Sequence, residues 1–147
     1  MVFIAALVTI AFSIFAPTCT EDSQVSTIRF PDFPAGLLLQ SQSADRNGAL
    51  SGIRVWDDGR RDKRQRGGPW IAMNALSWDR LAALHAAITA SGLKSSRAVP
   101  LVKPDDPAIY YLQIAMGGSN VSIAVESPCK IAAFDAFYAA VAQLLTE

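Results

Sequence analysis

A chain of 147 residues, 51% hydrophobic and 18% charged, is long enough for one folded domain and too apolar to be disordered. Thirteen basic residues balance thirteen acidic ones, so no global field steers the molecule to nucleic acid or to a membrane surface. Any electrostatic partner must be recognised locally.

Met1–Ala16 carries no charge, and only Thr9 and Ser13 interrupt its apolar run. As a helix it spans roughly 24 Å at about 1.5 Å per residue, short of the roughly 30 Å hydrocarbon core. That length fits the apolar region of a signal peptide better than a membrane span, and export is the expectation. The pattern departs from a standard signal, because no Lys or Arg precedes the run and Pro17 follows the small Ala16. Ala16-Pro17-Thr18 before Cys19 is also a poor lipobox. A cleaved signal, a retained anchor and a buried segment therefore remain open readings of residues 1–18. Residues 19–26 read as a linker and 27–147 as a single α+β domain. If the segment is removed after Ala16, Cys19 survives and can pair with Cys129 in an oxidising compartment, whether periplasmic, secreted or membrane-anchored. If Cys19 is lipidated or lost, Cys129 is a free thiol.

A short strand is expected over Val25–Phe30, ended by Pro31 and Pro34. Leu37–Ala44 starts apolar and becomes polar, as a strand does on leaving a core. Asp45-Arg46-Asn47-Gly48 is a turn, and Leu50–Asp57 is the partner strand, with Ile53 and Val55 opposite in direction to Arg54 and Trp56. Gly52 reads as a bulge. Asp57-Asp58-Gly59 reads as a turn, since a calcium loop needs further acids at ligand spacing and none follow.

Arg60–Arg66 places five basic residues, Arg60, Arg61, Lys63, Arg64 and Arg66, in seven positions. It reads as a solvated loop or hairpin tip, or as a guard against pairing at a sheet edge. Its functional alternative is a polyanion or lipid-headgroup patch. No aromatic residue interleaves with these charges in the sequence, so the stacking half of a single-stranded nucleic-acid site is missing and no nucleic-acid partner is expected.

Trp70–Ala75 is a further expected strand. Ser77 caps a helix running to Ser91, Asp79 complements its dipole, and Leu81, Leu84 and Ile88 form its buried stripe before Gly92 stops it. His85, the only histidine, is expected at the edge of the core; a metal site there would need ligands from elsewhere. Lys94–Pro107 contains Pro100, Pro104 and Pro107 and reads as a long loop suited to a binding surface.

Ala108–Met116 alternates, with Tyr110, Leu112, Ile114 and Met116 on one face, and Gly117-Gly118-Ser119-Asn120 turns it into a partner carrying Val121, Ile123 and Val125. Ser127 and Pro128 are the expected cap and first residue of a closing helix. Its stripe of Ile131, Phe134, Tyr138, Val141 and Leu145 reads as core. Cys129 then falls in the first helical turn beside Lys130, where the dipole favours a thiolate, with His85 as the one imidazole base. The expected fold is α+β, a mainly antiparallel sheet of four to six strands with two helices packed on one face.

The sequence contains no phosphate-binding glycine loop, G-x-S-x-G, H-E-x-x-H, CxxC or internal repeat. No catalytic, cofactor-binding or metal-binding residue is assigned, and no cofactor is expected. The order Val55-Trp56-Asp57-Asp58-Gly59, Leu76-Ser77 opening a helix, Tyr110-x-Leu-x-Ile and Gly117-Gly118 resembles small exported bacterial α+β domains of uncharacterised families. It is also similar to emfourin-type metalloprotease inhibitors. The resemblance implies a binding or inhibitory role without catalysis. The N-terminal strand region and the basic run depart from the emfourin pattern, so no inhibitory residue carries over.

The functional expectation is a non-enzymatic exported binding domain for a protein or envelope component, touching membrane only through the N-terminal segment. The alternatives are a thiol-dependent enzyme or redox protein using Cys129, and a polyanion or lipid-headgroup binder using Arg60–Arg66.

Overall fold

The computed structural model describes residues 19–22, 29–102, 104–105 and 107–146. The apolar N-terminal segment, and residues 25–28 of the strand expected at Val25–Phe30, lie outside the described residues; Arg29 and Phe30 are not in a strand. The fold is α+β. Its strands are β1 (Cys19–Asp22), β2 (Leu37–Ala44), β3 (Leu50–Trp56), β4 (Arg61–Arg64), β5 (Ile71–Met73), β6 (Ser96–Pro100), β7 (Ile109–Met116) and β8 (Ser119–Glu126). Its helices are α1 (Trp78–Ala90) and α2 (Ala132–Thr146). The strands form one eight-stranded sheet in the order β1-β6-β8-β7-β2-β3-β4-β5, antiparallel except for β6 beside β8.

Eight strands replace the expected four to six, and the three additions share a cause. Cys-Thr-Glu-Asp of β1, Arg-Asp-Lys-Arg of β4 and Ser-Arg-Ala-Val-Pro of β6 have poor strand composition, and each is held in the sheet by ladder pairing with its neighbours. β1, read as linker, lies along β6, and β6 itself lies within the expected loop Lys94–Pro107. β4 is the supposed solvated run, held between β3 and β5.

Helix α1 forms where expected. Ser77 Oγ accepts the Arg80 N–H at 3.3 Å, and the chain leaves through Gly92 at φ +61°. The helix carries the chain from the β5 edge to β6, next to the opposite edge. Its Leu81, Leu84 and Ile88 join Phe137, Val141 and Leu145 of α2 and Leu39, Val55, Leu112, Ile114, Ile123 and Val125 of the sheet in one buried cluster. Burying a side chain such as Leu84 or Ile114, both 0% exposed, contributes about 1.5–3 kcal/mol. The sheet members of the cluster sit opposite one another in register: Leu39 faces Val55 and Ile114, and Leu112 faces Ile123.

On the other face of β2 and β7, Gln40, Gln42 and Gln113 are buried polar residues. Gln40 Nε2 donates to Gln113 Oε1 and to the Asp32 carbonyl, both at 3.0 Å, and Gln113 Nε2 donates to the Pro31 carbonyl at 3.0 Å. These glutamines satisfy carbonyls that a proline-broken segment cannot place in a ladder. Phe30 packs edge-on to Tyr111, 5.8 Å between ring centroids, and holds that segment down.

Two local expectations are corrected. Gly52 is not a bulge, because register runs unbroken from Ala44–Leu50 to Ser41–Ile53; the irregularity lies between Leu37 and Leu39. The closing helix starts at Ala132, not at Pro128. Ser127–Pro128 is a cis peptide inside a turn in which the Cys129 N–H donates to the Glu126 carbonyl at 2.9 Å. Cys129 therefore precedes the helix and has no place in its first turn.

Candidate functional site

Along β2 the inward side chains change from Leu39 to Ser41 and then Ser43. Ser41 stands opposite Ile53 and Leu112, and Ser43 opposite Ser51 and Tyr110, so these serines share the face that carries the core. They are too small to fill the space that Leu39 fills one step earlier. A cleft of about 710 Å³ opens there between the sheet and α2.

Its sheet wall is Ser41, Ser43, Ser51, Ile53 and Lys63, with Tyr110 and Val125 further along. The opposite wall is Phe134 and Tyr138 of α2, whose rings stack 6.2 Å apart with planes 8° from parallel. Ser127, Pro128, Cys129 and Lys130 form the connection into α2 at one end. Tyr110 and Tyr138 are 46% and 43% exposed, so a stripe read from sequence as core divides in two. Ile131, Val141 and Leu145 are buried, as is the neighbouring Phe137, whereas Tyr138 is exposed and Phe134 only partly buried where they line the cleft. The signal for this site was present in the sequence as Ser41, Ser43 and Ser51 following apolar positions.

Cys129 is bonded to Cys19, with 5.9 Å between their Cα atoms, across 110 residues of sequence. No free cysteine is present among the described residues. In this state Cys129 has no thiolate with which to act as a nucleophile. His85 lies on the exposed side of α1 rather than at the edge of the core. Among the described residues, no group of three or more His, Cys, Asp or Glu side chains comes together as a metal-ligand set.

The five basic residues of Arg60–Arg66 do not form one patch, because β4 alternates. Arg61 is buried, donating from Nε to the Asn74 carbonyl at 2.7 Å and from Nη1 to the Leu145 carbonyl at 3.0 Å. Lys63 lies opposite Ile53 and lines the cleft. Arg60 pairs with Asp58 at 2.8 Å, and Arg66 occupies a turn at φ +47°. Arg64 packs on Trp70, 5.3 Å from its centroid.

Aromatic residues absent from the run in sequence reach it through the sheet. Arg54 sits 5.0 Å from Trp56 and 4.4 Å from Trp70, and Arg60 sits 4.9 Å from Trp56, giving the stack Arg60–Trp56–Arg54–Trp70–Arg64. Asp62 Oδ2 anchors it, accepting from Arg54 Nε at 2.8 Å and Trp56 Nε1 at 3.0 Å. Each tryptophan already has two guanidinium groups against it, so the stack braces β3, β4 and the approach to β5.

No family model matches the chain, and no curated protein or solved structure matches it.

Proposed function

We propose that this protein is an exported, non-enzymatic binding domain whose ligand occupies the cleft between β2–β3 and α2. The cleft carries the reading. Its volume of about 710 Å³ falls within the range of small-ligand sites, about 300–1,000 Å³, and its two walls differ in chemistry. Partly exposed aromatic rings facing hydroxyl groups across a concave surface favour recognition over plain packing.

Export is supported by the apolar Met1–Ala16 and by the Cys19–Cys129 disulfide, which persists most readily in an oxidising compartment. In this reading both helices lie over the apolar face of the sheet, and the disulfide fixes the Ser127–Lys130 end of the cleft. The ligand is an envelope component or part of a protein partner; inhibitor-like action is the version that the emfourin resemblance favours.

Ser43→Trp fills the sheet wall and tests the reading. In a titration with small aromatic, aliphatic and peptide probes, amide shifts are expected to concentrate at Tyr110, Phe134 and Tyr138 and to vanish in Ser43→Trp. Shifts located elsewhere, or unchanged in the variant, overturn the proposal. Intact mass of the protein recovered from its host's envelope fraction tests export, since an intracellular full-length chain with two thiols contradicts it.

A further inference from the structure

Taking that reading of the cleft as its basis, we infer that the ligand is an amphipathic anion, an aliphatic or aromatic body bearing one carboxylate, sulfonate or phosphate. Two observations combine. The first is the shape of the apolar contribution: Phe134 and Tyr138 present stacked rings on one wall, with Ile53 on the sheet wall opposite, enough for one elongated or flat hydrophobic group.

The second is charge. Lys63 on β4 and Lys130 before α2 both line the cleft, and neither has an ion-pair partner among the described residues. Arg64 also contributes to the lining but rests against Trp70, and Asp135 is the one acid. Two unpaired ammonium groups against one carboxylate leave a positive balance beside an apolar wall. The Ser41, Ser43 and Ser51 hydroxyls add donors that can turn toward an anionic headgroup. An ammonium is strongly hydrated, so in this setting it attracts an anion at the rim while the aromatic wall accepts the body.

Two fluorescent probes with closely similar hydrophobic bodies separate the charge from the cavity. 8-Anilinonaphthalene-1-sulfonate carries the anion, and N-phenyl-1-naphthylamine lacks it. The sulfonate dye is expected to bind one per chain, about ten-fold more tightly than the neutral dye, and to weaken as salt rises. Lys63→Met and Lys130→Met should each weaken the sulfonate dye about five- to ten-fold and leave the neutral dye unchanged. Decanoate should displace it better than decanol. Equal binding of both dyes, indifferent to the lysine substitutions but blocked by Ser43→Trp, overturns the anion inference while leaving the cleft as the binding site. Binding of both dyes unaffected by Ser43→Trp, or no binding of either, overturns the cleft reading as well.

Discussion

Arg61 donates through Nη1 to the carbonyl oxygen of Leu145, 3.0 Å away and 84 residues along the chain. A residue from a charge-dense run thus holds the last turn of the closing helix against the sheet, satisfying a carbonyl that the helix leaves without a partner. Burial pulls the guanidinium below its ordinary pKa, with the Arg80 charge adding, yet arginine stays charged at neutral pH.

Arg61→Met should therefore cost about 2–4 kcal/mol, since it leaves the Asn74 and Leu145 carbonyls without their donor. Lys63→Met, two residues on and exposed, should stay within about 0.5 kcal/mol. Urea unfolding of the two variants measures the contrast. Equal effects would mean that the run acts as one solvated surface.

The disulfide makes a second prediction. A bridge spanning 110 residues removes enough chain entropy from the unfolded state to contribute about 4–5 kcal/mol. The Cys19→Ser, Cys129→Ser double variant should lose most of that in denaturant melts, and the native protein should take up no alkylating reagent without reductant. A reactive thiol in the untreated protein would revive the thiol-enzyme alternative.

Much of this architecture was legible in the sequence, and what was not has a common origin. Local grammar located α1 with its Ser77 cap and the β2–β3 and β7–β8 hairpins, because periodicity and turn residues are written within short stretches, while the cysteine count left the pairing of Cys19 with Cys129 as one of two outcomes. Strands β1 and β6 depend on partners distant in sequence, and β4, though it forms a hairpin with the nearby β3, consists of charged residues that read as solvated, so composition concealed all three. The start of α2 was misplaced because Ser127-Pro128 suits a tight turn as well as a helix start, and here the Cys129 N–H closes a turn onto the Glu126 carbonyl instead. The cleft was half-legible: the serines of β2 were visible as polarity, but that they face Tyr138 across a gap follows only from how α2 is placed.

Gly52 offers a sharp steric test. A Cβ there would lie 2.2 Å from the Ser41 carbonyl oxygen and 2.8 Å from the Gln42 Cα, both of them backbone atoms unable to turn aside. Gly52→Ala should cost at least about 2–3 kcal/mol, at the upper end of overpacking penalties. Gly48→Ala makes a useful companion, because it meets no atom within 4 Å and pays only for its φ of +79°. A melting temperature for Gly52→Ala no lower than that of Gly48→Ala would contradict the close approach of β2 and β3.

Asp62 sets the pH dependence expected of the arginine–tryptophan stack. Burial pushes its carboxyl upward, but hydrogen bonds from Trp56 and Arg54, aided by the charges of Arg54 and Arg60, outweigh burial and leave it below the ordinary aspartate value. A carboxyl whose pKa is depressed by folding stabilises the fold fully above its unfolded value of about 3.9, and that stabilisation is lost as pH falls through the lower folded value. Asp62→Asn removes the charge that Arg54 and Trp56 address, so it should be about 1–3 kcal/mol less stable at neutral pH. Its stability should also fall less steeply than wild type below about pH 4. Denaturant melts of both proteins from neutral to strongly acidic pH supply the comparison. Parallel acid limbs would show that the stack is held by packing rather than by the Asp62 charge.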